Sequence, residues 1–163
     1  MLDDFSRLSV KELLSLYSHA LNELCLRGTV RSTNNPAADY AEFLVSSALE
    51  LNLTGKSNSG YNATDSMGSR YQIKARRITP HNHSRQLSSI RGLGKGRRPF
   101  VYLAGVLFNE DFSVLRACQI PFEIVSANSK YVQHVNGWKF HLRDSVWELS
   151  GVKDITTELR RVT

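Results

Sequence analysis

The stretch Tyr61-Asn62-Ala63-Thr64-Asp65-Ser66-Met67-Gly68-Ser69-Arg70-Tyr71-Gln72-Ile73-Lys74-Ala75-Arg76-Arg77 decides how the chain is read. Ser66 to Ser69 is rich in turn formers and lies between two strand-like runs, which predicts a β-hairpin with a short connection. Asp65 then sits near the turn. Side chains alternate along the returning strand, placing Gln72, Lys74 and Arg76 on one face and Tyr71, Ile73 and Ala75 on the other. An oxygen donor and a cation two residues apart, with a carboxylate close by, could hold a divalent metal, a polarised water and a phosphate together.

The basic charge is concentrated just downstream. From Ser66 to Asn109 there is no Asp or Glu, whereas Arg70, Lys74, Arg76, Arg77, Arg85, Arg91, Lys95, Arg97 and Arg98 all fall in that span, within a chain of net charge +6. Such a field attracts a polyanion, and phosphate neutralisation by Lys and Arg is the main sequence-independent term in nucleic-acid binding. The competing reading is a solvated basic surface.

Upstream, Ser9-Val10-Lys11-Glu12 has capping-box form. Val10, Leu13, Leu14, Tyr17, Leu21 and Leu24 follow at helical spacing, predicting a structural helix from about Ser9 to Arg27 that stops at Gly28. Asn35-Pro36 opens a second helix expected to reach about Asn52. Glu42 shares a side of that helix with Ala38, Val45 and Leu49, a costly place for a carboxylate without a cation or metal partner.

Downstream, Ser84 to Arg91 is read as one or two helical turns. Gly92-Leu93-Gly94-Lys95-Gly96-Arg97-Arg98 is a basic glycine-rich loop. It lacks the spacing and terminal Lys-Ser/Thr of a nucleotide-binding P-loop, so an ATPase reading fails. His81 and His83 have no third ligand in a recognisable spacing and are not taken as metal ligands. Phe100 to Phe108 is almost continuously apolar, as in a central strand covered on both faces. Phe112 to Ile120 returns beside it, and Pro121 starts a short helix. Trp138, Phe140 and Leu142 alternate as a strand packing one face inward, and Asp154 reads as the cap of a last helix through Arg161.

The 163 residues, with 41% hydrophobic and 22% charged content, predict one folded domain spanning 1–163. No apolar run approaches the ~20 residues needed to cross a bilayer, and the acidic N-terminus does not read as a signal peptide. Cys25 and Cys118 make no ligand spacing and are expected as buried hydrophobes in a reducing, cytoplasmic setting.

Glu42 on a helix, Asp65 on a hairpin, Gln72-Ile73-Lys74 on the next strand and a buried strand after it resemble the PD-(D/E)xK nuclease superfamily over about Pro36 to Val125. The resemblance implies an α/β fold with a restriction-endonuclease-like core, a central mixed β-sheet flanked by α-helices, here with an N-terminal helix. It further implies a Mg²⁺-dependent DNA endonuclease, possible in a restriction setting, hydrolysing phosphodiester bonds to leave a 5′-phosphate, with Mn²⁺ able to substitute. Glu42, Asp65, Gln72 and Lys74 would be its catalytic residues, and Glu42, Asp65, Gln72 and the Ile73 carbonyl would hold the metal. Arg70, Arg76, Arg77, Arg85, Arg91, Lys95, Arg97 and Arg98 would contact DNA. Gln72 departs from the family's acid and removes a negative charge from the site. That departure keeps open an inactive member that binds DNA or serves as a subunit of a larger nucleic-acid-processing complex, and a third reading is an interaction protein whose basic loop meets an acidic partner. A single active site of this size cuts one strand at a time, so a homodimer or partner subunit is expected.

Overall fold

The structure, a computed structural model, describes residues 4–55, 60–94 and 96–163. The first helix, α1, spans Val10–Leu26, and the predicted capping box is formed: Ser9 Oγ accepts from the Glu12 N–H, while Glu12 accepts from the Ser9 N–H at 2.7 Å. Along the predicted stripe Val10, Leu14 and Tyr17 are exposed, Leu14 to 63%, and only Leu21 of this helix is buried. The stripe meets the body of the protein only near its C-terminal end, where Leu24 lines an apolar cavity with Val30, Tyr40 and Val114.

Helix α2 spans Ala37–Ala48, shorter than the expected reach to Asn52. The Leu51 N–H returns to the Ser46 carbonyl at 2.9 Å while Glu50 takes a left-handed φ of 53°, which closes the helix in a Schellman-type end. The expected hairpin follows as β2 (Ala63–Thr64) and β3 (Arg70–Arg77), with β1 (Asn52–Leu53) added outside β2. Gly68 supplies the positive φ, 82°, at the turn. Strand β4 (Tyr102–Phe108) lies parallel to β3, and β5 (Val114–Pro121) returns antiparallel beside it. Helix α3 (Phe122–Asn128) leads to the small hairpin β6 (Lys130–Val132) and β7 (Gly137–Lys139). The chain ends with β8 (Lys153–Asp154), paired with β5, and α4 (Thr156–Arg161).

The result is a mixed α/β fold around a six-stranded mixed sheet, in the order β1-β2-β3-β4-β5-β8. On one face, Ala41, Leu44 and Val45 of α2 and Leu159 of α4 pack against Tyr71, Ile73, Ala104 and Val106. The other face is covered without a long helix, by Leu87, Ile90, Phe100, Phe140 and Leu142 packed on Leu103 and Leu107. At Gly105 a Cβ would meet Leu142 Cδ2 at 2.9 Å, so the missing side chain is what admits Leu142.

Two local expectations are corrected on that second face. Ser84 to Arg91 forms no helix, because its backbone is spent on the tail: the Leu87 N–H donates to the Phe140 carbonyl at 3.0 Å, and Ile90 and Trp138 exchange two bonds of 2.8 Å. Of the alternating tail residues, Phe140 and Leu142 point inward, but Trp138 remains partly exposed. Cys118 is buried as expected, whereas Cys25 is only partly covered. Among the described residues no helix is long and apolar enough to cross a membrane.

Candidate functional site

The hairpin and α2 are joined by a residue that the sequence reading passed over. Asn62 stands just before β2, and its carboxamide reaches both ways. Nδ2 donates to Glu42 Oε1 at 2.9 Å, while Oδ1 accepts from the Ile73 backbone N–H at 2.7 Å and from Gln72 Nε2. Glu42 and Gln72 are nearly enclosed, at 8% and 7% exposure. The second oxygen of Glu42 accepts from the Arg31 guanidinium, which also donates to the Thr54 carbonyl at 3.2 Å. A buried carboxylate with a cation and an amide on its two oxygens is a satisfied group. The cation partner that the position of Glu42 demanded is therefore Arg31.

Because Gln72 donates through Nε2, its carbonyl oxygen is left without a donor among the described residues. Ile73 contributes its N–H to Asn62, and its side chain is buried in the core beneath α2. Asp65 is held differently. Its Oδ1 accepts from the N–H groups of Met67 and Ser69, both at 2.9 Å, so it fastens the turn, and its hydrogen bonds reach neither Glu42 nor Gln72. Together with burial, its charge pushes the Tyr71 phenol up.

The structure thus brings Glu42 and Gln72 together through Asn62 and leaves Asp65 at the hairpin end. The donor set around Asn62 is one carboxylate, already balanced by Arg31, and two neutral amides. Mg²⁺ favours carboxylate oxygens and binds such amides weakly. As folded, Glu42 is engaged by Arg31 and Asn62, and among the described residues there is no group of three or more His, Cys, Asp or Glu that could hold a metal.

Lys74 lies one step further along the same face of β3. Its ammonium has no hydrogen bond or ion pair among the described residues, and burial, then the charge of Arg91, hold it below the usual lysine range. The rest of the basic run sorts by what each cation already holds. Arg85 pairs with Asp144 at 2.6 Å and Arg98 with Glu123 at 2.8 Å. Arg70 donates to the Arg98 carbonyl, and Arg77 donates to the Glu110 carbonyl while lying over the Phe112 ring. The buried Nε of Arg76 has no acceptor. Arg91 and Arg97 are exposed, and their guanidinium groups pair with nothing among the described residues. Lys95 lies outside the described residues, and His81 and His83 are exposed on the loop after β3.

Four cations of the run are left without a partner among the described residues, Lys74, Arg76, Arg91 and Arg97; the charge of Arg91 acts on Lys74, and Arg97 lines a cleft with Arg91. Unpaired positive charges, one of them on a partly buried lysine, are chemically suited to an anion, since each could gain a charge-assisted hydrogen bond that the described residues do not supply. No protein-family model matches the chain, and no curated protein matches it either.

Proposed function

We propose that this chain is a DNA-binding domain of the PD-(D/E)xK endonuclease type, gripping a backbone phosphate between Lys74 and Arg91 beside the Asn62-centred network. The observation that carries the reading is the partition of the basic run: the acids of the fold take up Arg85 and Arg98, whereas Lys74, Arg76, Arg91 and Arg97 are left without an acceptor among the described residues. Support for a restriction-endonuclease-like core comes from the order of parts, with a carboxylate-bearing helix, an antiparallel hairpin carrying Gln72 and Lys74, and a buried parallel strand next to it. The Arg31–Glu42 pair and the two amides favour binding over cutting.

The second reading is the Mg²⁺-dependent DNA endonuclease itself, and one observation favours it. A lysine with a depressed pKa next to Gln72 suits the task of orienting or deprotonating an attacking water. It is helped by Arg31 leaving Glu42, which would free the charge and lone pairs of that carboxylate for a metal. A second copy or a partner subunit would serve the opposite strand.

The test is duplex binding by fluorescence anisotropy across a salt series, with parallel incubations in Mg²⁺ and Mn²⁺. Lys74→Ala and Arg91→Ala are each expected to weaken binding about tenfold and to lower the salt slope by about one. An unchanged slope in both variants would remove the phosphate site. Cleavage by the wild type that Lys74→Ala abolishes would select the second reading.

A further inference from the structure

Past Arg91 the basic surface opens into a cleft of about 700 Å³ whose floor is aromatic. Tyr131 on β6 and Trp138 on β7 face each other across the small hairpin, with ring centroids 4.8 Å apart. The hairpin is clamped onto the loop after β3. Ile90 and Trp138 exchange two backbone bonds, and a Cβ at Gly137 would come within 3.0 Å of Ser89 Cβ. Gly94 completes the floor: a Cβ there would sit 2.7 Å from Trp138 Cζ2, so only glycine lets the indole lie against this loop.

Both rings are left accessible at the cleft: Tyr131 is 47% exposed with its hydroxyl donating to Asn136 Oδ1 at 3.1 Å, and Trp138 is partly exposed with an indole N–H that has no acceptor among the described residues. The two guanidinium groups at the cleft, Arg91 and Arg97, are likewise unpaired. An aromatic platform flanked by unspent cations matches alternating bases and phosphates, because a base stacks on a ring face while its neighbouring phosphates take the charges. A base still paired within a duplex keeps its faces against its neighbours and cannot reach such a platform.

We infer that this cleft receives one unpaired nucleobase of a DNA or RNA strand, stacked on Tyr131 and Trp138, with the flanking phosphates on Arg91 and Arg97. The inference rests on the phosphate-binding reading above and narrows it: the preferred ligand is a single-stranded, frayed or extruded segment next to Lys74. An acidic peptide could meet the arginines but offers nothing to the rings.

The experiment compares three fluorescein-labelled ligands of equal length at one salt concentration: an oligothymidylate, an abasic strand with the same phosphates, and polyglutamate. The full chain is expected to bind oligothymidylate about tenfold more tightly than the abasic strand. Tyr131→Ala, a change at an exposed ring, is expected to erase that preference while leaving abasic affinity unaltered. Arg97→Ala should weaken both strands alike. Equal binding of base-bearing and abasic strands by the wild type overturns the stacking site while leaving the phosphate site standing. An equal loss for both strands in Tyr131→Ala overturns it too. Polyglutamate bound as tightly as oligothymidylate overturns it in favour of an acidic protein partner, and failure to bind any of the three overturns this inference, while the duplex salt series decides the phosphate reading separately.

Discussion

Asn62 donates to Glu42 Oε1 at 2.9 Å, so a neutral carboxamide ties helix α2 to the β2–β3 hairpin. Replacing it with a carboxylate would set two negative groups against one another in a nearly enclosed site, where like charges are costly unless a cation enters. Asn62→Asp is therefore expected to lower thermal stability in chelator and to recover it on addition of Mg²⁺ or Mn²⁺, by about 2.7 kcal/mol at a hundredfold excess over Kd. The wild-type melting temperature should not respond to either ion. A wild type stabilised as strongly as the variant would show that the amide network already accepts a metal.

In the proposed phosphate site, Lys74 would make anion binding depend on pH in a definite direction. Its ammonium is charged below its lowered pKa; as pH rises through that pKa the charge is lost, earlier than for an ordinary lysine near 10.5. Affinity for DNA should fall over that window in the wild type and stay flat in Lys74→Arg, which anisotropy at constant ionic strength would reveal. The same shift acts oppositely on folding. Between the lowered folded value and the unfolded one the unfolded chain binds more protons, so the contribution of Lys74 to stability rises with pH.

The two cysteines should separate by reactivity. Cys118 is buried in the sheet, and burial, with Asp154 adding to it and Arg116 opposing, pushes its thiol up to about 12. The thiolate is the nucleophile, so Cys118 should be inert to a thiol reagent near neutral pH. Partly covered Cys25 is the residue expected to react, with one equivalent modified in the native protein and two after denaturation.

Glu50 closes α2 in the left-handed region at a φ of 53°, which costs a residue with a Cβ about 1 kcal/mol. Glu50→Gly should relieve this strain and stabilise the protein by about that amount in chemical denaturation, without affecting DNA affinity. A destabilised variant would mean that chain entropy outweighs the strain.

The sequence was most informative where local rules act alone. The Ser9–Glu12 box, the turn at Gly68, the apolar run of β4 and the helix after Pro121 all follow from neighbours in sequence, and each is found. Asn62 was missed although its signal was countable: Ala63 pairs with Tyr71 and Thr64 with Arg70, so one step further out sets residue 62 against residue 72. Attention to acids led instead to Asp65, whose nearness to the turn puts its oxygen on the N–H groups of Met67 and Ser69. Arg31 was not legible, since its bond to Glu42 depends on how the loop before α2 folds back. The lack of helix at Ser84 to Arg91 was equally hidden, because the backbone partners of that segment arrive some fifty residues later, at Trp138 and Phe140.

Strands β3 and β4 run in the same direction, so the chain leaving Arg77 has to travel back along the sheet before it can enter Tyr102. At roughly 3.3 Å per residue an eight-residue strand covers on the order of 25 Å, and Arg91 and Arg97 both lie in the connection that makes this return. A change in the length of that connection therefore acts on the very stretch that carries both guanidinium groups.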